Sequence, residues 1–373
     1  MKTFALTPKI TVYDRWQEWL AGADLGPRDV ILTAKALQAA RLGAIPETTR
    51  VICIDDFGAG EPTDEMIDAV WDAAARQDFD RVVGLGGGSV LDIAKILTLK
   101  RSGRTLAIFQ KTAPAIREKS LVLIPTTCGT GSEVTNISIV AVPSLGTKIG
   151  LAVPELLANE AVICPELLHG LPEFAFVTSG IDALVHAIES YLAPRSHEYP
   201  ELYSTRAIEL LLNNLLHFVN NGRTAAIPTI ARDMLLGSNY AGIAFGNTGV
   251  GAVHAISYPL SGTFHIPHGE ANSRCLCAVL RAYKRIKPDG KIRHIEKLIA
   301  KSLGRNPPLD ALLTLEHLID ALLPKKSLTD YGMRRDQIPE FAKTVINTQQ
   351  RLLGNNYVPL DHDQIAAIYA AIL

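Results

Sequence analysis

The feature that most restricts the fold is a change of pattern near the middle of the chain. Before about Leu171, short β-type apolar runs alternate with helical patterns; after it, helical patterns stand almost alone. The β-type runs are Asp29–Thr33 (DVILT), Arg50–Ile54 (RVICI), Arg81–Leu85 (RVVGL) and Leu121–Ile124 (LVLI). Between them lie segments such as Thr63–Arg76, where Thr63 precedes an acidic first turn. Such alternation predicts βαβ units, a mostly parallel sheet covered by helices. From Pro172 onward, apolar spacing predicts helices over Glu173–Tyr191, Tyr199–Val219, Thr229–Asn247, Ile292–Leu303 and Leu309–Leu322, with one more at the C-terminus. The expected architecture is an α/β nucleotide-binding domain with a mostly parallel sheet over residues 1–171, then an all-helical domain over 172–373. A cleft between two such halves is a common place for a ligand.

The balance of residues narrows the class of function. Apolar residues make up 47% and charged residues 20% of 373 positions, the balance of an ordinary folded protein. A formal net charge of −1 supplies no global field for nucleic acid or an anionic membrane. No apolar stretch approaches the roughly 18 residues of a membrane span, and the N-terminus lacks the pattern of a signal peptide. The five cysteines are odd in number and contain no Cys-x-x-Cys pair, which fits a reducing compartment. A soluble cytoplasmic protein that acts on a small molecule is expected.

Two loops carry the signature of phosphate binding. RVVGLGGGSVLDIAKIL places Gly86, Gly87 and Gly88 between a strand and a helix, where the backbone can approach an anion closely. Ser89 is placed to cap that helix, with Asp92 three residues on in its first turn. Alone, this run also fits a tight strand-to-helix turn, because Ser89 stands where a full G-x-G-x-x-G has its last glycine. A second loop follows the strand LVLI: Pro125-Thr126-Thr127-Cys128-Gly129-Thr130-Gly131-Ser132-Glu133. Its hydroxyls and glycines suit phosphate and ribose oxygens, and two such loops at strand ends point to a dinucleotide.

The helical half concentrates metal-ligating side chains. Asp182 and His186 are four residues apart in SGIDALVHAIESY and therefore share one helix face. Glu189 lies three residues further on, a plausible partner for a ligand. Downstream, VHAISYPLSGTFHIPHGEAN supplies His254, His265 and His268. Three imidazoles and a carboxylate suit Fe²⁺ or Zn²⁺ with positions left for a substrate oxygen. Spacing leaves the choice among the histidines open, and an Asp–His pair at this spacing is also a common helix-surface contact.

Taken in order, these motifs resemble the iron-containing (group III) alcohol dehydrogenases over nearly the full chain. The markers are Gly86–Ser89 with Asp92, Pro125–Glu133, Lys148 in TKIG, Asp182–Tyr191, and the pair His254 and His268. The resemblance implies Asp182, His186, His254 and His268 as metal ligands. It also implies a dinucleotide, NAD or NADP, held by Gly86, Gly87, Gly88, Ser89, Asp92, Thr126, Thr127, Thr130, Ser132 and Lys148. A homodimer or larger homo-oligomer is implied as well. Three positions depart from the family's common pattern. Tyr258 stands where many members carry a proton-relay histidine, and a phenol of pKa about 10 is poorly matched to neutral pH unless shifted. Cys164 precedes Pro165 in place of an acidic residue, and Ala34 occupies the strand end where NAD-linked members often carry Asp. The block HAISYPLSGTFHIPHGEAN resembles the 4-hydroxybutyrate dehydrogenase branch in particular. The expected reaction is interconversion of a primary alcohol and its aldehyde, 4-hydroxybutyrate and succinic semialdehyde first. A small alcohol or diol of the lactaldehyde or propanediol type, or a non-catalytic metal- and nucleotide-binding homologue, is the alternative. For a carboxylate substrate, Arg274 is the candidate cation.

Overall fold

The computed structural model describes residues 2–37, 45–58, 60–145, 147–304, 310–324 and 326–373. The chain folds as two compact units, one of Leu6–Gly170 and one of Leu171–Leu373 with Met1–Ala5.

The first unit contains strands β1 (Lys9–Val12), β2 (Asp29–Thr33), β3 (Arg50–Cys53), β4 (Arg81–Gly86), β5 (Ser120–Pro125) and β8 (Glu160–Ile163). They form one sheet in the order β1-β8-β5-β4-β2-β3, and every pairing is parallel. All five residues of β2 are buried, as expected for a central strand covered on both faces. Alternate residues go to opposite cores. Val30, Leu32, Val82, Leu121 and Leu123 pack with α2 (Asp64–Ala74), α3 (Gly88–Leu97) and α4 (Thr105–Phe109). Ile31, Val83, Val122 and Ile124 pack with Trp16 and Trp19 of α1 (Trp16–Gly22). Strand order reverses between β2 and β4, and in open parallel sheets the carboxyl ends beside such a reversal are where ligands usually bind.

The runs read from sequence appear here as β2, β3, β4 and β5, within a residue or so at each end. Four strands were not legible. Strands β1 and β8 are only four residues each. The antiparallel ribbon of β6 (Ile137–Val142) and β7 (Thr147–Ala152) lies outside the main sheet. Thr63 does cap α2, its hydroxyl accepting from Met66 N at 3.0 Å. Thr63→Ala is expected to lower the unfolding free energy by about 1 kcal/mol, measured by denaturant titration.

The second unit is helical: α5 (Glu173–Leu192), α6 (Glu198–Asn220), α7 (Ile227–Thr248), α8 (Ala252–Phe264), α9 (His268–Ile286), α10 (Lys291–Ser302), α11 (Ala311–Leu322), α12 (Ile338–Thr348), α13 (Gln350–Leu353) and α14 (His362–Ile372). The expected start of α11 at Leu309 lies outside the described residues. The sequence patterns did not separate α8 and α9 as helices, because Pro259 inside α8 and the Pro267 cap before α9 read as breaks. The N-terminal segment belongs to this unit: Ala5 N donates to Asn247 Oδ1 at 2.8 Å, and Phe4 stacks on Tyr199 and Tyr203. No described helix is long and apolar enough to cross a membrane. All five cysteines are buried, and none forms a disulfide.

Candidate functional site

Strand β4 ends at Gly86 and α3 begins at Gly88. Gly87, in extended backbone, is the N-cap and offers no side chain to the first-turn amides. Ser89 therefore lies inside the first turn rather than capping it, which corrects the expectation from spacing. The absence of a side-chain cap leaves the first-turn N–H groups without a side-chain acceptor, the usual setting for an anion at a helix start. The two loops touch here. A Cβ on Gly88 would come within 2.6 Å of Thr130 Cγ2, and one on Gly87 within 3.3 Å of Thr127 Cγ2. Only a chain without β-carbons at these points brings the helix start and the second loop together. Thr126 N donates to Gly86 O at 3.0 Å and so extends the strand pairing into that loop.

Asp92 does not sit in the first turn of α3 as expected. Its carboxylate accepts from Ser132 Oγ at 2.6 Å and from Ile139 N at 2.9 Å. Lys148 pairs with Glu61 at 2.6 Å. Ala34 follows β2, and beside it Lys35 N donates to Asp55 Oδ2 at 2.8 Å while Lys35 Nζ pairs with Asp56 at 2.5 Å. The fully buried Lys95, absent from the sequence reading, bonds Ser132 directly.

In the helical unit, four ligand-type side chains meet from three helices. Asp182 and His186 lie one turn apart on α5, His254 lies on α8, and His268 opens α9 directly after Pro267. Asp182 Oδ1 is 3.8 Å from His254 Nε2 and 3.6 Å from His268 Nε2. The Nε2 atoms of His254 and His186 are 3.1 Å apart. Donor atoms of Asp182, His254 and His268 all fall within 4.8 Å of one another. Bonds of 2.0–2.1 Å to a tetrahedral ion would put ligand atoms roughly 3.4 Å apart, so this donor set fits a divalent metal. Asp182, His186 and His254 are buried, while the His268 side chain is 30% exposed and marks the open side. His265, the rival on spacing, is exposed in left-handed backbone at the end of α8.

The surroundings make these groups good ligands. Burial alone would raise the Asp182 carboxyl, but the three imidazoles and Asn272 outweigh it and hold it below the usual carboxylate range. Burial, with His186 and His268 alongside, pushes His254 well below its ordinary value despite Asp182. A neutral imidazole keeps a lone pair for a metal. Glu189, expected as a partner, faces His254 Nδ1 at 2.6 Å and accepts from Val253 N at 2.6 Å. Burial pushes it up to about 7, against the backbone amides of Gly251 and Val253. The arrangement places one proton between Glu189 and His254 Nδ1, which turns Nε2 toward the cluster. His186 stacks on Phe245 at 4.3 Å.

Asn272, one turn after His268, escaped the sequence reading. Its Nδ2 donates to Asp182 Oδ1 at 2.7 Å, and its Oδ1 accepts from Ser257 at 2.5 Å. The Tyr258 ring stands 5.7 Å from that of His268 and 6.2 Å from that of His254. Arg274 is not brought into this cluster. Its Nη2 donates to Pro324 O at 2.6 Å and reaches Glu270, which also accepts from Tyr331. Six residues past His268, it occupies another face of α9.

The family model described as iron-containing alcohol dehydrogenase matches residues 23–165, and that for the C-terminal part of the Fe-containing alcohol dehydrogenase family matches 176–373. The chain is 42% identical over 369 residues to the 4-hydroxybutyrate dehydrogenase of Clostridium kluyveri, covering 99% of each. It is 35% identical over 302 residues to long-chain-alcohol dehydrogenase 1 of Geobacillus thermodenitrificans, covering 79% of this chain and 75% of that one. Among solved structures, sulfoacetaldehyde reductase from Bifidobacterium kashiwanohense in complex with NAD⁺ superposes with a TM-score of 0.86. That likeness, at 22% identity over 100% of this chain and 98% of the other, is one of fold. By both halves and by full-length identity, the chain belongs to the iron-containing alcohol dehydrogenases, oxidoreductases acting on CH–OH groups.

Proposed function

We propose that the chain interconverts 4-hydroxybutyrate and succinic semialdehyde, using NAD and one divalent ion, Fe²⁺ with Zn²⁺ as the alternative. The observation that carries the chemistry is the convergence of Asp182, His254 and His268, with His186 Nε2 3.1 Å from His254 Nε2. Full-length identity to the Clostridium enzyme supports the substrate. When bound, the ion would supply a Lewis acid for the alcohol or carbonyl oxygen, and the nicotinamide would exchange hydride with the carbon.

The chain's own residues do the rest. Asp182 and the three histidines hold the ion, Glu189 fixes the His254 tautomer, and Asn272 fixes the Asp182 carboxylate. The uncapped start of α3 and the hydroxyls of Thr127 and Thr130 bind the pyrophosphate. Tyr258 is the candidate to exchange the substrate hydroxyl proton through its phenol oxygen. Asp55 and Asp56 set two carboxylates against one ammonium near the end of β2, which disfavours a 2′-phosphate and supports NAD over NADP. The reading extends to a cytoplasmic homodimer or larger homo-oligomer, the setting in keeping with five buried thiols.

A panel of 4-hydroxybutyrate, 1,2-propanediol and 1-propanol, each with NAD⁺ and NADP⁺, tests this by absorbance of the reduced nicotinamide. The highest kcat/KM is expected for 4-hydroxybutyrate with NAD⁺. Chelation should remove turnover, and added Fe²⁺ or Zn²⁺ should restore it. Turnover indifferent to chelation, or a preference for 1-propanol, would overturn the reading.

A further inference from the structure

A substrate with a carboxylate at its far end calls for a cation near the reacting end, and Arg274 is engaged elsewhere, by Pro324 O and Glu270. The length of 4-hydroxybutyrate sets where that cation stands. Fully extended, its carboxylate lies roughly 6 Å from its hydroxyl oxygen by ordinary bond lengths. A guanidinium holds a carboxylate at about 2.8 Å. The cation therefore stands within roughly 10 Å of the oxygen presented to Asp182, His254 and His268. It must also be open to water and free of a carboxylate of the protein's own.

Arg351 of α13 meets these conditions. The segment that follows it is fixed to the start of α8, where Asn355 Nδ2 donates to Val250 O at 3.1 Å. The approach is close because glycines line it. A Cβ on Gly249 would come within 3.1 Å of Asn355 Nδ2, and one on Gly251 within 2.9 Å of Asn356 Oδ1 and 3.3 Å of Glu189 Oε1. Helix α13 packs against α8, which carries His254 in its first turn and Tyr258 one turn later. Leu352 is buried and anchors α13, while Arg351 beside it is exposed. Its charge is felt at the cluster: burial first, then His186 and His268, and then Arg351 push His254 below its ordinary value. Arg274 and Arg281 are taken by Glu270 and Glu316. Among the described residues, no carboxylate pairs with Arg351.

We propose that Arg351 determines specificity for a substrate carboxylate, its guanidinium taking the acid end of a short hydroxy- or oxo-carboxylate whose other end lies at the histidine cluster. This rests on the reading of 4-hydroxybutyrate as the substrate, and it moves recognition of the acid from α9 to α13. The planar guanidinium binds both carboxylate oxygens, which an ammonium does not. Because the contact is exposed, salt screens it.

The test measures reduction of succinic semialdehyde and of butanal, the same chain without the carboxylate, by the metal-loaded enzyme with NADH. In Arg351→Met the ratio of the two kcat/KM values is expected to fall about tenfold or more, chiefly through the KM of the charged aldehyde. Arg351→Lys should recover part of the ratio, since it keeps the charge and loses the paired bonds. Added salt should raise the KM for succinic semialdehyde in the wild type and leave it flat in Arg351→Met. Calorimetric titration of 4-hydroxybutyrate into the enzyme–NADH complex, where no hydride can move, should show the same weakening. Equal losses for both aldehydes would make Arg351 structural only, and an unchanged ratio would place the acid end elsewhere; either result overturns the proposal. Should Arg351→Met fail to fold, Arg351→Gln takes its place in the same comparison. A wild-type enzyme that reduces butanal as well as succinic semialdehyde would instead sink the substrate reading on which this rests.

Discussion

Gly269→Ala is expected to lower kcat/KM by about 10²-fold and the metal affinity with it, from a single methyl group that touches no ligand. The cause is the approach of two backbones. A Cβ on Gly269 would lie 2.3 Å from Thr178 O and 2.9 Å from Thr178 C. Thr178 lies one turn before Asp182 on α5, and Gly269 directly follows His268 on α9. No side-chain rotation relieves a clash with a carbonyl, so the helices must part by roughly 1 Å to restore ordinary contact. The parting acts on the 3.6 Å separation of His268 Nε2 and Asp182 Oδ1. A displacement of about 1 Å in a catalytic site costs on the order of 10²-fold in rate, and overpacking adds about 1–3 kcal/mol of destabilisation. Gly262→Ala in α8 is the control, because its Cβ meets nothing within 4 Å. There a stabilisation of about 0.5–1 kcal/mol and unchanged activity are expected. Wild-type kcat/KM in Gly269→Ala would show that the helices yield without moving the ligands.

The proline-glycine punctuation around this contact also explains what the sequence concealed. Pro267 read as a break, yet it is the extended cap that opens α9, and Gly269 is the first-turn residue that lets α9 press on α5. With α9 unseen, Asn272 could not be placed one turn beyond His268, and Arg274 could not be placed on another face. Strands and helices with one strong period were legible: β2 matched its apolar run residue for residue, and α5 nearly so. Lys95 escaped for a different reason. In an apolar helix a lone lysine reads as a solvent-facing stem, and only the fold shows three acceptors waiting around a buried ammonium. Asp92 misled in the same way, since proximity in sequence to a helix start suggested a local cap while its real partner is 40 residues away. Local rules describe elements; long-range pairings of polar groups lie beyond them.

Asp182→Ala is expected to lower kcat/KM more than about 10³-fold, equivalent to about 4 kcal/mol of lost transition-state stabilisation. Metal content after purification should fall in parallel. Asp182 is the one carboxylate among three imidazoles, and its charge favours a cation over a proton at this buried place. Without it, the Asn272 amide loses its acceptor at 2.7 Å. His254 and His268 lose the group that both face at under 4 Å. Glu189 cannot substitute, because both of its oxygens are engaged, with His254 Nδ1 and Val253 N. Glu189→Gln therefore makes an informative partner: it keeps the volume but alters the tautomer of His254, and a 10–100-fold loss of metal affinity is expected. Metal analysis and kcat/KM together separate the two variants, since excess metal should rescue Glu189→Gln far more than Asp182→Ala. Equal rescue of both would make Asp182 dispensable as a ligand.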